Sequence, residues 1–448
     1  MKKKVVLALL VVAIIGTMCF AAVACKDKTR TVVECEELTM LMEGNYYVGT
    51  EGTVDLSVAL PGSEYELTAT NATLEETILT VNSTGDFTLK YKPEDPEAEN
   101  IQADGTVTLK MHAVNGVNVT DWAGLTEAVK ASKNVVFQDN ITSEGKTSCN
   151  VLNSIFYGNA KYVNVNSIVN GNVDNRGNHG FTVRDNNEAV FQDLFIYGRM
   201  YGEDEAVVLE NCEGYGQLID ATNNDNSKRP QLTVKHCILE NSQKMVYIKG
   251  ADCTIEGTVM RNGADALLAA ETGAVDGATL TVKNSVFANS VVCGIILCGW
   301  TQVKNDNGYC TLNLEGFVDI YNWKSRDTAK LMPATEGWYV GAVNSLVQSE
   351  LGKDEYNGYF SKGADGKDYV HFGIVVLATA DLSANKSKVN GAAGVGLVQK
   401  SFPLPGIAST IAHTCLLYGI DKTNITIEPT ESVDDNTALS YELIHGRE

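Results

Sequence analysis

AVFQDLFIYG (189–198), VVLENCEGYG (207–216), LTVKHCILEN (232–241), CTIEGTVMRN (253–262), LTVKNSVFAN (280–289) and LNLEGFVDIY (312–321) are six variations on one pattern. Apolar residues fill the first and third places. The fifth holds Asp193, Asn211, His236, Gly257, Asn284 and Gly316, mostly residue types that tolerate a left-handed backbone. The tenth holds Gly198, Gly216, Asn241, Asn262 or Asn289, and in the last copy Asn322 follows one step late. A short strand, a sharp bend, a second short strand and another bend follow from this spacing.

Successive copies start 18, 25, 21, 27 and 32 residues apart, too irregular for a helical repeat but natural for stacked turns of chain with loops of varying length. A unit this small cannot bury its own apolar residues, so the copies must stack. The pattern resembles the pectin-lyase-like right-handed parallel β-helix superfamily over about residues 117–425, which implies an all-β solenoid with inward aliphatics. The resemblance carries no catalytic signature, and a shared fold does not fix an activity.

Working outward, TDWAGLTEAVK (120–130) places Leu125, Ala128 and Val129 on one helical face with Thr120 or Asp121 as cap. Such a helix closes the open end of a stack and leads into VVFQDNI as its first strand. Before it, GTVDLSVAL, YELTATN, ETILTVN, DFTLKYKP and GTVTLKMHAV alternate between turns, predicting a small antiparallel β-sandwich over 34–115. It resembles bacterial immunoglobulin-like spacer domains in strand count. After 322, residues 323–368 read as long loops, HFGIVVLATADLSAN and ITIEP as returning strands, and 391–413 as an insertion. The expected organisation is therefore 1–24 signal peptide, 25–33 tether, 34–115 sandwich and 117–448 β-helix.

MKKKVVLALLVVAIIGTMCFAAVAC has the basic start, apolar run and small residues of an export signal. Ala22-Val23-Ala24-Cys25 resembles the lipobox of bacterial lipoproteins, with Ala22 where Leu is usual, and that resemblance implies lipidation at Cys25. Plain secretion and an uncleaved anchor stay open, since 5–24 is long enough to span a bilayer. The expected location is the extracellular face of the bacterial membrane, lipid-anchored. Removing Lys2, Lys3 and Lys4 leaves 32 Lys+Arg against 56 Asp+Glu, a formal charge of −24. That charge argues against nucleic acid as a partner. Oligomeric state is not readable. Of the eleven cysteines, Cys212 and Cys237 share the sixth column and Cys253 a first column, positions expected in the core as small hydrophobes. A disulfide such as Cys293–Cys298 or Cys298–Cys310 is the alternative.

The loops after successive copies should be neighbours, bringing Arg199, Asp204, Asp220 and Asp225 to one flank with Glu203, Glu205, Lys228 and Arg229. Carboxylates with a base beside them suit a polysaccharide lyase, calcium offsetting uronate charge while the base takes a proton. Asn178-His179-Gly180 resembles the Gly-His-Gly of polygalacturonases, but the accompanying aspartate and Arg-x-Lys motifs are absent. Trp300, Tyr197 and Tyr201 are candidate sugar-stacking residues. The reading favoured is a non-catalytic glycan-binding or adhesion module needing no cofactor. The alternative is a calcium-dependent lyase or a glycoside hydrolase on an acidic polysaccharide, using the flank 198–205, 220–230, 264–278 and 299–309.

Overall fold

The computed structural model describes residues 44–96, 98, 100–143, 148–165, 167–169, 172–174, 180–183, 187–203, 206–215, 219–222, 229–240, 245–261, 267–271, 277–288, 294–299, 310–321, 325–326, 360–362, 368–370, 372–378, 388–390, 397–402 and 413–419. The fold is all-β. Strands dominate, with two short helices among the described residues.

The first unit runs β1 (Asn45–Glu51), β2 (Thr53–Asp55), α1 (Leu56–Ala59), β3 (Gly62–Thr68), β4 (Ala72–Glu75), β5 (Ile78–Val81), β6 (Gly85–Pro93) and β7 (Val107–Val119). Alternation in β6 and β7 turns Phe87, Leu89 and Tyr91 and Val107, Leu109 and Met111 inward. They close on Tyr46, Val48, Leu56 and Leu79 in one core. One layer is β1–β7–β6–β3 and the other β2–β5–β4. The pairings within these layers are antiparallel, as expected, except that β1 runs parallel to β7.

The expected boundary near 117 lies inside β7. Its last residues pair parallel with the strand Val135–Phe137, Val117 opposite Val135 and Val119 opposite Phe137, so the two units share a strand. The seam between them is polar and satisfied. Buried Tyr46 donates its hydroxyl to Gln138 Oε1 (2.8 Å), and Gln138 Nε2 donates to Asn118 Oδ1 (2.8 Å). Fully buried Asn159 accepts from Tyr47 N (2.7 Å) and donates to the carbonyls of Tyr47 and Phe137 (2.9 Å each). Burial pushes the Tyr46 phenol well above the ordinary tyrosine range and Tyr47 up to about 12. The helix α2 (Trp122–Lys130) follows, its Leu125, Ala128 and Val129 buried as read from the sequence; Asp121 is the cap, accepting from Gly124 N at 2.8 Å.

From Val135 the chain adds its strands to three ladders in turn. In the first, the strands that open the copies pair parallel and in register: Ala189, Val207, Leu232, Cys253, Leu280 and Leu312 stand opposite one another in series, as do Phe191, Leu209, Val234, Ile255, Val282 and Leu314. Most are buried in one core spanning 119–312. Near its start Phe156 stacks on Phe191 (4.4 Å, 11°) while Phe181 packs on both at 5.4 and 5.1 Å. The second ladder carries Ile196, Gly214, Leu239, Met260, Phe287 and Ile320 in register.

The third ladder departs from the expectation of two strands per copy. Ser148–Val151, Gly180–Val183, Arg199–Glu203, Ile219–Thr222, Val246–Lys249, Leu268–Glu271, Ile295–Gly299 and Phe372–Ala378 pair parallel in that order. The segments read as connecting loops are thus largely a third strand. The returning strand expected in HFGIVVLATADLSAN is Phe372–Ala378. The stretch read as an insertion supplies Leu397–Phe402, and His413–Gly419 begins at its last residue; these two strands finish the ladder antiparallel. ITIEP and most of 323–368 lie outside the described residues.

The corner between the first two ladders explains the fifth and sixth columns. Asp193, Asn211, His236, Gly257 and Asn284 have φ of 54, 50, 51, 58 and 49°, the left-handed conformation that these residue types accept at least cost. After four of these five turns the next residue closes the corner with a short donor; after Asp193 the place is held by buried Leu194. Cys212 Sγ donates to Glu210 O (3.3 Å), Cys237 Sγ to Lys235 O (3.1 Å), Thr258 Oγ1 to Glu256 O (3.0 Å) and Ser285 Oγ to Lys283 O (2.8 Å). The same hydroxyls accept from the neighbouring copy, Cys237 N to Thr258 Oγ1 and Thr258 N to Ser285 Oγ. Over the four middle copies the column thus holds small side chains with a donor hydrogen, and the two thiols serve as hydroxyl substitutes, whereas the first and last copies place Leu194 and Phe317 there. Cys149, Cys212, Cys237, Cys253 and Cys310 are all free and buried, so Cys310 forms no bridge to Cys298.

Candidate functional site

One register of the third ladder gathers part of the residue set that the sequence singled out. Inward positions Phe181, Met200, Val246, Leu268 and Ile295 are fully buried, which leaves the next residue of each strand in the opposite register. Those next residues are Thr182, Tyr201, Asp220, Tyr247 and Ala269, each directly opposite the one before. Thr182 and Tyr247 are half-buried and Ala269 is buried. Two positions along, Glu203, Thr222, Lys249 and Glu271 form a parallel row. Asp220 thus lies between two tyrosine positions, with a lysine position diagonal to it.

Arg199 pairs with Gly180 and sits two residues before Tyr201 on the same strand, one strand over from Asp220 and diagonal to it. Asp204, Asp225 and Trp300 lie outside the described residues, as does Cys25. The aromatic Tyr197 is a correction. It is 5% exposed, and its ring meets Tyr162 edge-on at 5.9 Å and 74°. It covers the core at the end of the second-ladder strand and offers no open face to a sugar. Arg229 is likewise drawn away from the flank. Its Nε lies 2.7 Å from Asp252 Oδ1 and its Nη2 donates to Thr279 Oγ1 at 3.1 Å. The Nε–H does not point along the short contact, so that contact is coulombic rather than a hydrogen bond.

The first ladder's outer surface is more structural in character. Glu210, Lys235, Glu256, Lys283 and Glu315 alternate in sign, each opposite the next. Lys283 Nζ donates to Glu256 Oε1 at 2.6 Å, and this contact holds the Glu256 carboxyl below the usual range and raises the Lys283 ammonium. Opposite charges across paired strands support the ladder itself.

Among the described residues, no group of three or more His, Cys, Asp and Glu side chains is placed to hold a metal ion. Sequence reasoning passed over Trp122, which lines a cleft with Thr120, Asp121, Asn140, Ile141 and Thr142. The sequence marks the helix by its buried face, Leu125, Ala128 and Val129, and by its cap, which leaves Trp122 unassigned. An aromatic beside three short polar residues was the available signal. Comparison with protein families, with characterised proteins and with solved structures returned no match for this chain.

Proposed function

We propose that the chain is a lipid-anchored surface protein whose three parallel ladders form a right-handed parallel β-helix, and that this β-helix is a non-catalytic glycan-binding or adhesion module. The observation that carries the reading is the third-ladder row Tyr201–Asp220–Tyr247. Two tyrosine positions two strand spacings apart, about 9.5 Å, suit stacking on two rings of an extended oligosaccharide. The Asp220 position between them and the Lys249 position diagonal to it bring residue types that can accept from and donate to hydroxyls. A parallel ladder keeps these positions at fixed intervals, which limits the entropy lost when a long ligand binds. The resemblance of 1–25 to an export signal with a lipobox supports a place at the extracellular face of the membrane, where glycans are at hand.

Glycan-array binding of the full chain, followed by titration of the best oligosaccharide, tests the reading. Tyr247→Ala should weaken binding by about tenfold or more, the range for a lost stacking contact in a polar site. Binding indifferent to Tyr247→Ala and Lys249→Ala would refute it. Calcium-dependent release of unsaturated products from a uronan, abolished by Arg199→Ala, would replace it with the lyase reading. Loss of membrane association in Cys25→Ser tests the anchor.

A further inference from the structure

We infer that the cleft at the start of α2 is a second, separate binding site, for a single neutral pyranose ring. The cleft measures about 410 Å³ and lies between the first turn of α2 and the strand Ile141–Thr142, a size within the ~300–1,000 Å³ of small-ligand sites. Trp122 supplies its aromatic surface. The indole is partly buried and packs against the core, so its position is set by the fold. Around it stand Thr120, Asn140 and Thr142, which offer donors and acceptors without charge.

The polar groups are positioned by contacts that serve the fold. Asp121 accepts from Gly124 N at 2.8 Å as the cap of α2. Asn140 accepts from Tyr162 N at 3.0 Å through Oδ1, and among the described residues no acceptor meets its Nδ2. The site therefore presents one aromatic plane, two hydroxyls, an amide donor and one carboxylate. That set matches the C–H face and hydroxyl rim of a neutral sugar. The lining contains no cation, so a uronate or other anion would bring its charge beside Asp121 uncompensated. A quaternary ammonium is recognised by several rings around the charge, and this cleft has one.

This site deepens the glycan reading but uses none of the third-ladder residues, so the two fail separately. Saturation-transfer NMR of the full chain with methyl α-glucoside, methyl α-galactoside, methyl N-acetyl-β-glucosaminide, galacturonate and choline decides it. Transfer to at least one neutral glycoside is expected, with a Kd of about millimolar for a ligand of this size. Thr142→Val, nearly isosteric, should weaken that binding about fivefold, the effect of one neutral hydrogen bond. Trp122→Ala should abolish it, with far-UV circular dichroism verifying the fold. Tyr247→Ala should leave it unchanged. Transfer to choline or galacturonate alone, transfer to no neutral glycoside, or binding indifferent to Thr142→Val would overturn the inference, and Thr142→Val carries the test if Trp122→Ala unfolds.

Discussion

Replacing Gly257 by alanine tests the corner geometry that orders the stack. Gly257 has φ +58°, and a Cβ built there would lie 2.5 Å from His236 Cδ2 and 3.2 Å from Nε2. The backbone cost of a left-handed alanine is about 1–2 kcal/mol. Turning the imidazole off its rotamer adds about 0.5–1.5 kcal/mol. The stiffer unfolded chain returns about 0.4–1 kcal/mol, so Gly257→Ala should destabilise by ~2 kcal/mol. His236→Asn keeps a residue that tolerates the left-handed turn at position 236 while removing the ring. In that background Gly257→Ala should cost only the backbone part, leaving a coupling of about 1 kcal/mol between the two sites. Gly257→Asn should recover part of the backbone cost and none of the overlap. Urea midpoints followed by far-UV circular dichroism, with slopes compared to verify that the transitions are alike, measure all four variants. Equal cost of Gly257→Ala in both backgrounds would refute the steric contact. A cost below ~0.5 kcal/mol in wild type would refute the backbone argument as well.

Three further outcomes follow from named contacts. Burial pushes the Cys149 thiol up to about 11 and raises Cys212 and Cys253 above the ordinary range. At pH 8 Cys149 is then about one part in a thousand thiolate, and the five buried thiols should resist iodoacetamide until denaturant unfolds the ladders, as read by mass spectrometry; rapid native labelling would contradict their placement. Because Lys283 depresses the Glu256 carboxyl, the pair's contribution is present above the unfolded carboxylate range and disappears as pH falls through the folded value. The stability gap between wild type and Lys283→Met should therefore close on acidification, and a gap that widens would reverse the sign. Asn159→Leu removes an amide with two donor bonds and one acceptor bond at the shared seam. It should cost about 2–4 kcal/mol and lower the unfolding midpoint reported by both units together, whereas an effect on one unit alone would mean that the seam does not couple them.

The parts of the fold that were legible are those where backbone geometry restricts residue choice. The fifth column could be read because a left-handed turn admits few residue types, and Asp193, Asn211, His236, Gly257 and Asn284 belong to that short list. The first column could be read because Ala189 through Leu312 must fill one continuous interior. The α2 cap and buried face were visible for the same reason. The shared strand β7 reads as a boundary because Asn115 and Gly116 interrupt its alternation, and the pairing with β1 slips opposite them; nothing local shows that the same strand continues into the second core.

The third ladder was illegible for a physical reason that bears on function. From Ser148 to Gly299 its strands are four or five residues long, and several places in register with the buried Val183, Ile248 and Leu297 hold small residues, Gly202, Ala221 and Ala270. A strand with one large inward residue, flanked by acidic connectors, carries almost no period-two signal. In the first ladder Glu256 and Lys283 are committed to each other; the weaker period-two constraint on the third ladder leaves its residue types less dictated by the fold. A face whose fold demands little of its outer residues is where tyrosine, aspartate and lysine can be set for a ligand. For that reason the residues that misled the sequence reading as loops, Tyr201 and Asp220 among them, are the ones on which the glycan-binding proposal rests.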